Sequence, residues 1–274
     1  MPLTIAYLGP EKTNTHVAAQ ARFGRTARYV HAATVDEVFH LVERRRVDAG
    51  VVPIENSLEG AVTHTLDRFI DFTDTPVKIH GEIEQPIRHY LLTFKGAKLT
   101  EIAGVSSHPQ ALDQCRQWLA EHLAHAALRE TNSTADAVSQ VLRLNARYAA
   151  IGRKELADRQ GLKAMPIPDQ RDNKTRFLVL GHGEPKKGKR NKTSILLALK
   201  DTPGALHDAL VPFKRQGINL TKIESRPSKK KAWEYLFFID FEGHASEPRV
   251  QRALNALSRS TSLLRILGSY PVAK

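Results

Sequence analysis

The segment 172–180, DNKTRFLVL, brings several kinds of polar side chain to the start of an apolar run. Polar groups at the mouth of a buried strand are a common way for α/β folds to build a binding site. Arg176 offers a planar fork that fits a carboxylate, and Thr175 can donate or accept a hydrogen bond. Because side chains alternate across a strand, these two neighbours normally face opposite sides. A surface Arg beside a strand-forming Thr therefore stays an open alternative.

Three other turns between predicted strands and helices are rich in polar groups. They are GPEKTNTH (9–16), PIENSLEG (53–60) and SSHPQALDQC (106–115). The free N–H groups at a helix start suit an anion, although ordinary helix capping explains the same residue types. A serine hydrolase is not favoured, because the Ser-His pair in the third turn lacks a nucleophile elbow. The four turns together predict an α/β domain that binds a small anion and needs no cofactor.

Composition excludes further kinds of site and of binding partner. Cys115 is the single cysteine, which excludes an internal disulfide and a CxxC site, and His122 and His125 lack a third metal ligand nearby. The net charge of +12 is concentrated in EPKKGKRNK (184–192) and SKKK (228–231), which we interpret as a solvated linker and turn. With only 7% aromatic residues, the chain is poorly equipped to bind nucleic acid. No apolar run approaches the roughly 18 residues of a membrane span, and the N-terminal sequence is unlike a signal peptide, so we expect a cytoplasmic protein.

The order of elements predicts two kinds of domain. Residues 1–183 alternate apolar strand candidates, such as AGVVPI, with segments of helical period, such as VDEVFHLVERRR, which indicates an α/β domain with largely parallel sheets. After the basic linker, about 80 residues follow the order βαββαβ of a ferredoxin-like unit. Gly217 is placed to end the first helix of that unit.

The motifs YLGPE, VVPIENSLEGAV, SSHPQALDQC, STADAV, AAIG and DNKTRFLVLG, in this order, resemble those of the prephenate dehydratase family. The C-terminal part resembles an ACT domain, with DTPGAL in its first loop and INLTKIESRP at its second strand. The combination is similar to monofunctional bacterial members, and we expect no chorismate mutase domain ahead of it. The resemblance implies a two-lobed, periplasmic-binding-protein-like catalytic domain at 1–183, with lobes at 1–78 plus 160–183 and at 79–159 and the site in the cleft between them. It further implies a linker at 184–192 and an ACT domain at 193–274.

The family reaction converts prephenate to phenylpyruvate with loss of water and CO2, in the biosynthesis of phenylalanine. It needs no redox step, no cofactor and no metal. The resemblance implies that Thr175 assists departure of the ring hydroxyl, as a hydrogen-bond donor or relay. The catalytic residues it implies are Thr175, Asn56, Ser57 and Gln114. The substrate-binding residues it implies are Thr13, Glu55, Ser107, Asn173, Arg176 and Phe177.

Regulation is implied by the C-terminal resemblance. We expect L-phenylalanine to bind between the ACT domains of two subunits and to inhibit the enzyme, which would be a homodimer or homotetramer with no nucleic-acid or membrane partner. The expected L-phenylalanine site comprises Gly204, Ala205, Leu206, Asn219, Leu220, Glu224, Ser225, Arg226 and Pro227, the last four linking the pocket to the partner subunit.

One turn departs from the family pattern. Lys12 and Asn14 stand where relatives usually have Gly and Phe, and replacing Gly could forbid a positive φ. A shifted substrate or simple drift would each explain the change. Arogenate, with an ammonium group where prephenate has a keto group, is therefore an alternative substrate, although Lys12 would disfavour that ammonium group. A non-catalytic sensor of aromatic or amino acids is the alternative of another class.

Overall fold

The computed structural model describes residues 2–71, 75–169, 172–228 and 234–273. Their strands, in chain order, are β1 Thr4–Leu8, β2 Arg28–Ala32, β3 Ala49–Asn56, β4 Gly60–Ala61, β5 Val77–Pro86, β6 His89–Thr93, β7 Gly104–Ser107, β8 Ala127–Glu130, β9 Tyr148–Gly152, β10 Lys163–Ile167, β11 Lys174–His182, β12 Asn191–Leu199, β13 Leu220–Pro227, β14 Tyr235–Glu242 and β15 Thr261–Pro271. The α-helices are α1 Asn14–Phe23, α2 Val35–Glu43, α3 Thr63–Asp71, α4 Pro109–Gln114, α5 Arg116–His122, α6 Thr134–Val141, α7 Lys154–Gln160, α8 Ala205–Arg215 and α9 Pro248–Leu257. The last three residues of the predicted SKKK turn, 229–231, lie outside the described residues.

The chain forms two compact units. The first contains residues 1–11, 15–85 and 175–274, and the second contains residues 12–14 and 86–174. The first unit holds a sheet of order β2-β1-β3-β11-β5, with β4 paired to β3, and a second sheet of order β13-β14-β12-β15. The second unit holds a sheet of order β10-β6-β9-β7-β8.

The expected lobe boundaries need correction, because the chain passes from one unit to the other at different residues. β5 continues to Pro86 in the first sheet, and β10 belongs to the second unit. The first lobe therefore extends past residue 78, and the second extends past residue 159. β12 begins at Asn191, inside the segment predicted to be linker.

Local sequence explains the elements next to the site. Thr34 caps α2 by accepting a hydrogen bond from the amide of Glu37 at 3.2 Å, and the predicted apolar face of that helix, with Val38 and Phe39, is buried. β3 is almost wholly apolar until Glu55 and Asn56, which bring polar side chains to its end. Gly217, at φ +61°, follows the end of α8 as predicted.

The C-terminal βαββαβ domain packs one face of its sheet on the first sheet. Side chains from both sides, including Phe238 and Leu267 of this domain and Phe69 and Leu178 of the N-terminal part, share one buried core. Gly268 permits the approach of β15 to β5, because a Cβ there would collide with the carbonyl oxygen of Ile79. α8 and α9 cover the other face of the C-terminal sheet.

Candidate active site

Asn56 and Thr175 form a hydrogen-bonded pair at the ends of two neighbouring strands. β3 and β11 run antiparallel, with Asn56 opposite Thr175, and the amide nitrogen of Asn56 donates to the hydroxyl of Thr175 at 3.0 Å. The amide oxygen of Asn56 accepts from the backbone N–H groups of Leu58 at 3.0 Å and Glu59 at 3.3 Å. These two contacts fix the orientation of the amide, so its nitrogen must face Thr175. The Thr175 hydroxyl therefore accepts from Asn56 and keeps its own proton for donation.

Arg176 lies on the opposite face of the same strand pair, which corrects its expected role as a substrate ligand. Its side chain is 7% exposed and donates to Glu55 at 2.9 Å, Glu82 at 3.0 Å and Asp240 at 2.8 Å. Glu55, also an expected substrate contact, accepts from Lys222 at 2.6 Å as well. Both groups are thus engaged with other charged side chains. Arg176 and Glu55 therefore form a structural ion pair instead of the expected substrate contacts.

The cluster around Arg176 balances its charges. It contains three cations and three carboxylates, namely Arg176, Lys192, Lys222, Glu55, Glu82 and Asp240, and it is completed by Lys192 donating to Glu82 at 2.8 Å. Lys192 is 9% exposed, so the solvated role predicted for the 184–192 run is wrong at this residue. A buried charge is tolerated only when it is paired and hydrogen-bonded, as each of these is.

Titration of the cluster follows from that pairing. Burial raises the pKa of Glu55, but Arg176 and Lys222 outweigh burial, and the pKa lies below its ordinary value. Burial lowers the pKa of Arg176, but Asp240, Tyr270 and Glu55 outweigh burial and raise it. The pKa of Tyr270 is raised well above its ordinary value by burial and then by Asp240 and Glu82, so this side chain stays a neutral donor.

Gln114 and Asn173 meet in the second unit, together with a histidine that the sequence did not suggest. The amide oxygen of Gln114 accepts from the amide nitrogen of Asn173 at 2.8 Å and lies 2.8 Å from Nε2 of His89. Since that oxygen is an acceptor, Nε2 of His89 carries the proton. His89 lies outside the polar turns, at the start of β6, and nothing in its local sequence signals this contact.

Ser107 and Phe177 are internal rather than accessible. The hydroxyl of Ser107 donates to the carbonyl oxygen of Ile151 at 2.8 Å, and the residue is wholly buried, one position before His108, the N-cap of α4. Phe177 is 1% exposed and packs with Ile5 and the neighbouring core. The structure therefore argues against the expected direct substrate contacts of Ser107 and Phe177. Ser57, by contrast, is exposed in the turn after β3.

The turn that departs from the family pattern keeps a left-handed residue. Lys12 has φ 69°, so the positive φ persists although Gly is replaced. The guanidinium of Arg153 donates to the carbonyl oxygen of Lys12. Thr13, an expected substrate contact, follows directly and lies partly buried before α1. The turn therefore retains a backbone shape that normally calls for glycine.

A cavity of about 540 Å³ lies at the first loop of the C-terminal domain. Gly204, with φ +81°, precedes α8, and the two predicted residues that follow it line the cavity. The lining residues are Leu199, Lys200, Asp201, Thr202, Ala205, Leu206, Glu234, Tyr235, Phe237 and Ser262. One side of this domain thus offers apolar and polar groups to a small ligand.

β13 is an edge strand whose two faces differ. The exposed residues are Asn219, which directly precedes the strand, and Ser225 and Pro227 within it. Leu220 and Glu224 are partly buried. Arg226 makes a double contact with Asp67 of α3, at 3.0 and 3.2 Å. The link from Arg226 to a partner subunit stays a prediction, and within its own chain the Arg226 guanidinium pairs with Asp67.

No group of three or more His, Cys, Asp or Glu side chains in the described part of the chain is arranged to hold a metal ion. Across residues 2–71, 75–169, 172–228 and 234–273, no helix is both long and apolar enough to cross a bilayer.

Comparison with known proteins identifies the family. The family model described as prephenate dehydratase matches residues 5–185, and that of the ACT domain matches residues 193–259. The chain belongs to the prephenate dehydratase family. The expected fold class and the expected function, a prephenate dehydratase with an ACT regulatory domain, are thereby confirmed.

Several relatives of the prephenate dehydratase family are similar over nearly the whole chain. A bifunctional chorismate mutase/prephenate dehydratase from Aquifex aeolicus is 47% identical over 273 residues, covering 99% of this chain and 74% of the relative. Arogenate dehydratase/prephenate dehydratase 2 from Arabidopsis thaliana is 37% identical over 283 residues, covering 98% of this chain and 72% of the relative. The crystal structure of an Arthrobacter aurescens prephenate dehydratase in complex with L-Phe has a TM-score of 0.88 and 37% identity, covering 99% of this chain and 90% of that one.

Proposed function

We propose that the chain converts prephenate to phenylpyruvate, with Thr175 as the hydrogen-bond donor to the departing ring hydroxyl. The observation that carries this assignment is the 3.0 Å hydrogen bond from Asn56 to Thr175, which leaves the hydroxyl proton for an acceptor outside the protein. The ring carboxylate leaves as CO2, and its electron pair aromatises the ring as the C4–O bond breaks. The expelled oxygen takes up a proton and leaves as water.

Thr175 would act by position rather than by acidity. A threonine hydroxyl is a weak acid, but a donor held in place stabilises charge as it develops on the leaving oxygen. The amide of Asn56 holds this donor, and its own oxygen is fixed by Leu58 and Glu59. Ser57, Thr13, Gln114 and Asn173 remain predicted contributors to catalysis or substrate binding.

Prephenate is preferred over arogenate in this proposal. The Arabidopsis relative bears both names, so family membership alone leaves both substrates open. Lys12 adds a positive charge to the turn that carries Thr13, and a cation disfavours the ammonium group of arogenate when it lies within about one Debye length, roughly 8 to 10 Å.

L-phenylalanine is the proposed inhibitor, and the cavity beside Gly204 is its proposed site. The Arthrobacter relative, 37% identical to this chain, is in complex with L-Phe. Three large apolar side chains of this domain, Leu206, Ile223 and Tyr235, are 37 to 46% exposed, which suits a second ACT domain packing there. A homodimer or homotetramer paired through ACT domains and a cytoplasmic location belong to the same proposal.

The test is product formation from each substrate, with and without L-phenylalanine. Phenylpyruvate should form from prephenate faster than phenylalanine forms from arogenate, and L-phenylalanine should suppress the first reaction. Thr175→Ala should lower kcat by about 10²- to 10⁴-fold with KM largely kept. A protein that binds L-phenylalanine but turns over neither substrate would belong to the sensor class.

The inhibitor site has a matched pair of glycines. Gly204 and Gly217 both have positive φ, and a Cβ at either position meets no atom within 4 Å. Gly204→Val and Gly217→Val should therefore impose similar backbone strain, but only Gly204 adjoins the cavity. Gly204→Val should abolish inhibition while Gly217→Val retains it; equal inhibition in both variants would remove this cavity from the proposal.

A further inference from the structure

Among the residues that the structure describes, four ion pairs connect the ACT domain to the N-terminal part of the first unit. All are buried or partly buried, and each joins residues more than 60 positions apart. They are Lys192–Glu82 at 2.8 Å, Lys222–Glu55 at 2.6 Å, Arg226–Asp67 at 3.0 Å and Asp240–Arg176 at 2.8 Å. The two domains are thus held by specific charges as well as by their shared apolar core.

Two of these pairs end directly beside the Asn56–Thr175 hydrogen bond. Glu55 precedes Asn56 on β3, and Arg176 follows Thr175 on β11, opposite Glu55 in the strand register. The register shifts between Arg176 and Phe177, so the strand is irregular immediately after the ion pair. A β-bulge re-aims nearby side chains, and such bulges are common next to active sites.

We propose that Arg176 and Glu55 are positioning residues, which hold the Asn56–Thr175 pair from behind and couple it to the ACT domain through Asp240 and Lys222. This inference rests on the proposed function of Thr175. Arg176 does not touch the substrate in this account. Its guanidinium fixes the start of β11, and therefore the direction of the Thr175 hydroxyl, relative to the ACT sheet.

The distances make this coupling sensitive. The Asn56–Thr175 contact is 3.0 Å, and N–H···O bonds weaken beyond about 3.2 Å, so a shift of a few tenths of an ångström at β11 is sufficient to alter it. Asp240 and Lys222 belong to the ACT sheet, on β14 and β13. A ligand that moves this sheet therefore acts on the strand pair through charges that cannot be left buried and unpaired.

Arg176→Lys separates positioning from substrate binding. Lysine keeps the charge but lacks the fork that contacts three carboxylates at once. If Arg176 is a positioning residue, Arg176→Lys should lower kcat by about tenfold and leave KM nearly unchanged. A large rise in KM with kcat unchanged would instead make Arg176 a substrate ligand and overturn the inference.

Asp240→Asn tests the coupling from the ACT side. Asp240 accepts from Arg176 through one oxygen and from Ser194 at 2.6 Å through the other. Asparagine can keep the first contact through its oxygen and donate to the Ser194 hydroxyl through its nitrogen, so chiefly the charge is removed. We expect a kcat lowered by about threefold to tenfold and weaker maximal inhibition by saturating L-phenylalanine, with L-phenylalanine binding retained in calorimetry.

Asp67→Asn is the matched control. It neutralises a carboxylate of the same kind of ion pair, but on α3, away from β3 and β11. Both variants should lower thermal stability, whereas only Asp240→Asn should lower kcat. Equal kcat values for Asp240→Asn and the unmodified chain, or equal losses in both variants, would reduce the ion pairs to a structural junction.

Hydrogen exchange gives a readout that does not need turnover. The amides at the start of β11, residues 174–177, should exchange faster in Asp240→Asn than in Asp67→Asn, while those of β9 should be unchanged in both. Unaltered exchange at β11 in Asp240→Asn would overturn the inference even if the chain proved inactive. Inactivity of the unmodified chain would reject the proposed function instead, so the two failures are distinguishable.

Discussion

Asn56→Asp should reverse the hydrogen bond that orients the proposed catalytic hydroxyl. In the structure, Asn56 donates to Thr175 at 3.0 Å and accepts from the amides of Leu58 and Glu59 through its oxygen. A carboxylate can keep both backbone contacts, but its second oxygen cannot donate. Thr175 must then donate to the new carboxylate, and the proton needed by the leaving hydroxyl is turned inward.

The size of the effect follows from the new hydrogen bond. A bond to a charged acceptor contributes about 1.5 to 3 kcal/mol, and this must be broken before Thr175 can donate to the substrate. The corresponding loss in kcat is about 10- to 150-fold. Stability should be unchanged or slightly higher, because the Thr175 hydroxyl and the backbone N–H groups of Leu58 and Glu59 each keep a hydrogen-bond partner.

The assay is steady-state formation of phenylpyruvate, together with thermal unfolding. Leu58→Asp is the control for added charge, because Leu58 is exposed in the same turn and contacts Asn56 through its backbone N–H, which the substitution keeps. It should affect KM for the dianionic substrate but not kcat. A folded Asn56→Asp enzyme with undiminished kcat would refute the donor role of Thr175.

Three further outcomes are expected. Lys12→Gly should raise the free energy of unfolding by up to about 1 kcal/mol, since it removes a left-handed non-glycine residue; a loss of stability in urea titrations would contradict this. Ser107→Ala should lower that free energy by about 1 kcal/mol through loss of the bond to Ile151, and a raised KM would restore Ser107 as a substrate contact. The pKa of Glu55 is lowered in the folded state, so its stabilising contribution is present above its ordinary value of 4.5 and is lost as pH falls below it. When the pH is lowered from about 7 to about 3, the free energy of unfolding should accordingly fall less for Glu55→Gln than for the unmodified chain, as measured by denaturant titrations.

Much of the fold could be predicted because its signals are local. The apolar face of α2, the βαββαβ order and the glycine after α8 follow from side-chain period and backbone preference within short windows. Helix boundaries are less local: the segment 108–123 has apolar residues at helical spacing throughout, yet the helix breaks at Cys115 into α4 and α5. The sheet to which a strand belongs was harder to predict, because nothing near β10 in the sequence specifies which of two sheets it joins.

The charged cluster could not be predicted from the sequence. Lys192 and Glu82 are 110 residues apart, and Lys222 and Glu55 are 167 apart, so no spacing rule pairs them. Lys192 lies at the end of a run of cations and has no property of its own that distinguishes a buried lysine from a solvated one. Burial is decided by the packing of the ACT sheet, which is a property of the whole unit.

Strand alternation explains why Thr175 and Arg176 have different partners. Neighbours on a strand face opposite sides, and here one side carries the Asn56–Thr175 pair while the other carries the Glu55–Arg176 pair. A single peptide bond therefore joins Thr175, the proposed catalytic residue on one face, to Arg176, which pairs at the domain junction on the other face. Any movement at the junction reaches the hydroxyl through one residue of backbone, which is stiff in a paired strand. The adjacent Thr175 and Arg176 of this chain therefore have separate roles, without both side chains contacting one ligand.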